Sequence, residues 1–247
     1  MSTDLKPRYK VIAIGLSIVI GMTQLSLTSR SNAQSLEFTF DVYTAFVPPY
    51  AQPEPDNKVS GTLVSVVSEY MKGRQLNHKI TLLPWSAAYR RTELNQHALL
   101  FPVDRTPERE DAFHWIKSLA VAEYYLYGIA GTDLAAVSLD EAIASDGLVT
   151  CGTNSIQCQI LTTQGFENKS IVRIEDASVQ KRYELMMNGR NQYTVFDPKV
   201  YEDLTKRHGL DPNKLVKMHK ISELNSYLAA NKDMPTHALE SLFNEPD

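Results

Sequence analysis

The sequence predicts an α/β fold in which mostly parallel sheets are covered by helices on both faces. Three observations carry that expectation. Strand-like segments alternate with helical segments of about ten residues, the arrangement a chain needs to return from one parallel strand to the next. One segment, "ALLFPV" (98–103), is wholly apolar, as strands buried on both faces are. Once an N-terminal segment is set aside, about 214 of the 247 residues remain, enough to bury a sizeable core as one larger or two smaller domains.

The segment set aside is 1–33. Lys6, Arg8 and Lys10 precede an apolar run from Val11 to Met22, then a polar stretch, then the small residues of Ser31-Asn32-Ala33. That order is expected of a cleaved secretory signal peptide. The apolar run is shorter than the roughly 18 to 20 residues of a spanning helix; an uncleaved N-terminal anchor is the alternative. No Cys stands near Ala33, which disfavours a lipid anchor.

Leu36, Phe38, Phe40 and Val42 alternate with polar residues and predict the first strand. A Pro-rich loop, "TAFVPPYAQPEPDN", follows. Leu63, Val66, Val67, Tyr70 and Met71 share one helical face, with Gly73 placed for a left-handed cap. Ile80 and Leu82 make a strand closed by Pro84, "SAAYRRTEL" a helix, and "ALLFPV" the buried strand. "YYLYGIA" is a strand, and Ser138 with Glu141 forms a capping box. The strands "GLVTC", "SIVRI" and "QYTVF" alternate with a helix ending at Gly165 and one striped by Val179, Tyr183, Met186 and Met187. Asp197-Pro198 opens a helix running to Gly209. "KLVKMHKI" and "SYLAAN" are read as two strands, and "THALESLF" as a last helix.

Removing 1–33 takes away four basic residues and one acid, leaving 21 basic and 28 acidic residues and a formal charge of −7. That balance disfavours nucleic acid and anionic membrane surfaces as partners. Cys151 and Cys158 suggest a disulfide in an exported protein, with two buried free thiols as the alternative. The six His show no HxxxH or HExxH spacing, so no metal and no cofactor are expected.

The stretch "RTPERE" (105–110) places Thr106 as an N-cap and Pro107 at the first helical position, which puts Arg109 in a first helical turn. The helix dipole disfavours a cation there unless an anion is near, and a guanidinium binds carboxylate in a bidentate fork. A surface Arg109 paired with Glu108, Glu110 or Asp111 is the alternative reading.

Taken in order, "TAFVPPY", "LPW", "RTPERE", "FHWI" and "FDP" resemble the amino-acid type (family 3) of periplasmic solute-binding protein, along essentially the whole mature chain. The resemblance implies a two-lobed fold joined by two hinge crossings, near Leu119 to Glu123 and Ser222 to Asn225. Lobe 1 would comprise 34–121 plus 224–247, and lobe 2 would comprise 122–223. It also implies that Arg109 holds a ligand carboxylate, that Asp197 takes an ammonium, and that Trp85 and Phe46 flank the ligand side chain. Asn154 falls where the second lobe offers donors. Asp197 is equally placed to be only the N-cap of its helix. Three residues, Pro102, Asp104 and Tyr43, depart from the family pattern. Pro102 and Asp104 stand where Gly-x-Thr or Gly-x-Ser is usual and Tyr43 replaces an acid, while Thr150 fits the basic-or-Thr position. Asp104, which would repel a ligand carboxylate or pair with a second ammonium, and Tyr43 are still expected among the ligand-binding residues.

The function so implied is a monomeric periplasmic receptor that binds a small polar, amino-acid-like molecule and works with an ABC permease or a membrane sensor, with no nucleic acid and no catalysis. The departures leave a diamine-like, dipeptide-like or unrelated small ligand open. A dehydratase-type enzyme on the same fold is the alternative class, with Glu93, Asp104 and His97 as acid and base.

Overall fold

The computed structural model describes residues 38–175 and 178–244. The expected signal peptide over 1–33 lies outside the described residues, and among these no helix is long and apolar enough to cross a membrane. Eight strands form one sheet. β1 (Phe40–Thr44) pairs in parallel with β4 (His78–Leu82) and β5 (Ala98–Asp104). At the other end β7 (Val149–Gly152) pairs in parallel with β8 (Ile171–Ile174) and β9 (Tyr193–Phe196). Between them run β6 (Phe113–Ile129) and β10 (Leu215–Asn231), antiparallel to each other and to their outer neighbours, giving the order β4-β1-β5-β10-β6-β9-β7-β8. The Pro-rich loop holds a small hairpin of its own, β2 (Gln52–Pro53) with β3 (Val59–Ser60).

The two long strands correct the sequence reading. "KLVKMHKI" and "SYLAAN" belong to the single strand β10, and β6 begins eleven residues before "YYLYGIA". Each has 17 residues, and at ~3.3 Å per residue spans about 55 Å. They pair from Leu215 with Ile129 to Asn231 with Phe113, and register shifts next to Lys220 and Ser226 interrupt the ladder. Such bulges bend and twist a strand.

Apolar residues collect on both faces at each end of the sheet. At the β4-β1-β5 end, α1 (Thr62–Gly73) and α7 (Thr236–Phe243) cover Phe40, Val42, Leu99 and Phe101. On the opposite face α2 (Trp85–Leu94) covers Tyr43, Leu100 and Val103. Successive β5 side chains thus enter different cores, which is why "ALLFPV" has no polar face. At the other end α3 (Leu139–Ala144) and α4 (Ile156–Thr163) pack on Leu126, Val149 and Val195. There α5 (Val179–Met187) and α6 (Pro198–His208) pack on Tyr127 and Phe196.

Local signals act as the physics of caps requires. Ser138 and Glu141 form the capping box of α3. Asp197 caps α6 through Lys199 N, and Gly209 closes it in the left-handed region at φ 61°. Gly73 stays inside α1, and the left-handed residue is Gln75 at φ 56°. Thr106 does not cap by its side chain. "PEREDA" is a short 3₁₀ helix over Pro107–Ala112, and the Thr106 hydroxyl accepts instead from Gln159 Nε2 at 3.2 Å. The dipole argument for Arg109 therefore falls away. Cys151 and Cys158 form a disulfide across the β7–α4 turn, Cα atoms 5.3 Å apart.

Candidate functional site

A cleft of about 500 Å³ is lined by residues from both ends of the sheet. From the β4-β1-β5 end come the loop after β1, the start of α2 and the end of β5; from the other end come the β7–α4 turn, α5 and the β9–α6 junction. Gly61 shapes the first wall. At φ 137° it leaves no room for a side chain, because a Cβ would lie 2.2 Å from the Tyr50 carbonyl oxygen. That close approach docks the start of α1 on the loop that carries Phe46, Val47 and Tyr50, with Leu63 N donating to Tyr50 O at 3.2 Å.

Arg109 lines the cleft and is 9% exposed. Its Nη1 donates to the Asp104 carbonyl at 3.4 Å, and its guanidinium lies 5.7 Å from the Trp85 ring centre. Arg105 is on the outer surface, paired with Glu110 and set between the Trp115 and Tyr227 rings at 5.4 and 5.5 Å. The bend from the end of β5 into the 3₁₀ helix thus sends Arg105 and Arg109 to opposite sides of the wall.

Asp197, 8% exposed, stands on the other wall. Its Oδ1 accepts from Lys199 N at 2.8 Å and its Oδ2 from the Tyr50 hydroxyl at 3.0 Å. Burial raises its carboxyl above the ordinary value, against the lowering effect of those two donors. Asp104, 7% exposed, also reaches the cleft. It accepts from the Tyr124 hydroxyl at 2.5 Å and from Ser226, and burial raises it as well. The Tyr124 hydroxyl is pushed well up by its own burial and then by Asp104; Tyr50 is pushed up by burial and then by Asp197.

Trp85 and Phe46 line the same space. Trp85 donates through Nε1 to the Asn154 carbonyl at 3.3 Å, tying α2 to the β7–α4 turn. Phe46 is 44% exposed. Asn154 does not line this cleft: it is left-handed at φ 56°, and its neighbours Thr153 and Ser155 take the wall position. Tyr43 is buried in the core beside Ala88 and Leu100, and Thr150 is buried within β7. Glu93 and His97 do not line this cleft; Glu93 lines an adjoining polar hollow that shares Ser86, Arg109 and Ser155 with it, and His97 lies against the Phe38 ring at 4.4 Å.

Sequence reasoning missed much of the polar lining, notably Tyr50, Tyr124, Ser226 and Arg182. Arg182 is buried on α5, donates to the Val195 carbonyl, and lies 4.5 Å from the Phe196 ring. Burial lowers its pKa to about 10. A signal for it existed, since it follows Val179 by three residues and precedes Met186 by four, on the apolar face. The stripe had been assigned Met187, which is exposed.

No family model matches this chain, and no curated protein matches it in sequence. Solved structures match it in shape. Holo ArgBP from T. maritima superposes with a TM-score of 0.67 at 14% identity, over 83% of this chain and 87% of that one. A histidine kinase sensor domain with similarity to periplasmic binding proteins gives 0.71 at 14% identity, over 83% and 86%. A putative L-cystine ABC transporter protein from Listeria monocytogenes gives 0.69 at 16% identity, over 83% and 86%. These likenesses show the fold, the α/β architecture of periplasmic binding proteins, with binding and sensing proteins rather than enzymes as the neighbours.

Proposed function

We propose that the chain is an exported solute-binding receptor that captures a small amino-acid-like molecule between two lobes, 34–121 plus 224–247 and 122–223, for an ABC importer. One observation carries this reading: a buried Arg109 on one wall of the cleft and a buried Asp197 on the other. A carboxylate lying on the Arg109 fork and an ammonium on Asp197 would satisfy both charges at once, and the ligand would bridge the walls. Tyr50 and Trp85 already link the walls by hydrogen bonds to Asp197 and Asn154. A ligand therefore adds to contacts the closed form makes by itself, and the bent β6–β10 pair serves as the hinge.

Export rests on the signal-like N-terminus, and the Cys151–Cys158 disulfide suits an oxidising compartment. The likeness to a histidine kinase sensor domain, with a TM-score of 0.71, supports a second reading in which the loaded receptor reports to a membrane sensor. A thermal-shift screen against amino acids, polyamines and organic acids tests the receptor reading. A ligand at a hundred times its Kd stabilises by about 2.7 kcal/mol. A panel that leaves the melting temperature unmoved, or a ligand recovered chemically changed, would overturn it.

A further inference from the structure

We infer that the ligand is an amino acid with a large apolar or aromatic side chain, selected over cationic, acidic and small ones. This rests on the receptor reading above and concerns the same cleft.

The first argument is the supply of acids. A cationic side chain entering a closed cleft needs a carboxylate to meet it. Asp197 is committed to the ligand's ammonium in the proposed pose. Asp104, like Asp197, has one donor on each oxygen, here the buried Tyr124 and Ser226 hydroxyls. The Arg109 guanidinium stands beside it, however, so a second cation there would meet like charge. The third acid on the lining, Glu175, is exposed.

The second argument concerns the rings. An aromatic face can hold a cation, but two of the lining rings already carry one of the protein's own. The Arg109 guanidinium is 5.7 Å from the Trp85 centre, and that of Arg182 is 4.5 Å from the Phe196 centre. A third cation beside either would meet like charge. Phe46, the lining ring left 44% exposed, has apolar surface to cover. An acidic side chain would have to share Arg109 with the α-carboxylate or reach Arg182, which is buried against the Phe196 ring and donates to the Val195 carbonyl.

The third argument is shape. Val47 and Tyr50 pack both on the Leu63 core and on the core of Phe196 and Val200, so apolar surface from both ends of the sheet meets along one side of the space. The cleft, at about 500 Å³, falls within the roughly 300 to 1,000 Å³ of sites that take sizeable organic ligands. A small amino acid would leave much of it unfilled.

Calorimetric titration of the purified protein with phenylalanine, tryptophan, alanine, glutamate, lysine and arginine decides the matter. Phenylalanine or tryptophan should bind at least tenfold more tightly than each of the other four. Phe46→Ala, whose ring is outside the core, should lose about tenfold for the preferred ligand while its melting temperature without ligand stays put. Any of the other four binding as well as the aromatic ones overturns the apolar assignment and leaves the receptor reading standing. Binding of none of the six overturns the apolar assignment, and the receptor reading then stands or falls with the wider thermal-shift panel of other amino acids, polyamines and organic acids.

Discussion

Asp104 and Asp197 face one cleft, and burial raises both carboxyls, yet the two regions around them are built in opposite ways. Asp197 sits at the junction of β9 and α6, where the backbone N–H of Lys199 holds one oxygen. Its second donor, Tyr50, arrives from 147 residues away in the sequence. Asp104 has no helix cap to serve. Its donors are Tyr124 from β6 and Ser226 from β10, both brought to it by strand pairing. One acid is held in part by the start of its own helix; the other is held by side chains of the two long strands. The difference suggests that Asp197 can offer charge to a ligand, while Asp104 holds the floor together.

The largest effect should come from the cation that faces Asp197. Arg109→Ala removes one partner of a contact that is buried on closure, which costs on the order of 2 to 5 kcal/mol, so affinity should fall roughly thirtyfold or more. Arg109→Lys should lose most of that too, because an ammonium cannot reproduce the fork. Calorimetry with the ligand found by screening checks both, and wild-type affinity in either variant would sink the assigned role.

Next comes the floor. Asp104→Ala leaves the buried Tyr124 and Ser226 hydroxyls without their acceptor and should cost about 1 to 3 kcal/mol of stability. Asp104→Asn adds a pH signature. Burial raises the Asp104 carboxyl above its ordinary 3.8, so the folded chain keeps that proton to higher pH than the unfolded one. The stability so contributed is complete below the ordinary value and is lost as pH rises through the raised one. The Asn variant cannot ionise and should gain on the wild type as pH climbs above about 4. Melting curves across pH would show a flat difference if Asp104 were not buried in this way.

A smaller change is expected at the tie between the walls. Tyr50→Phe removes one hydrogen bond to Asp197, worth about 1 kcal/mol, and should shift the unliganded protein toward open forms. Small-angle scattering would detect an increase in the radius of gyration; an unchanged one would mean that the tie does not hold the walls together. The smallest effect belongs to Arg105→Ala on the outer face, which should alter affinity less than about twofold. If Arg105 carries the loss and Arg109 does not, the two sides of the 3₁₀ turn have been assigned the wrong way round.

Much of this was legible in the sequence, because the features concerned are local. Period-two and helical stripes placed the strands and helices, the capping box marked α3, and Asp197-Pro198 with Gly209 bounded α6. What failed depended on partners distant in the chain. Nothing local says that "KLVKMHKI" and "SYLAAN" join into one strand, since the mostly polar "SELN" between them has no strand pattern and is held by pairing with β6. Arg105 and Arg109 are alike in type, and "RTPERE" had suggested a helix start where a 3₁₀ turn formed. Arg182, Tyr124 and Ser226 look like ordinary helix and strand residues until the sheet turns them toward one cavity. The sequence by itself determined the α/β alternation, the capping box of α3 and the two ends of α6, and through a family resemblance it offered Arg109 and Asp197 as candidates. Tertiary structure alone decided which face each charged side chain meets and which hydroxyls hold Asp104. The physical reason is that backbone periodicity is set within a few residues, whereas burial and hydrogen-bond partners are set by strand register across the whole chain.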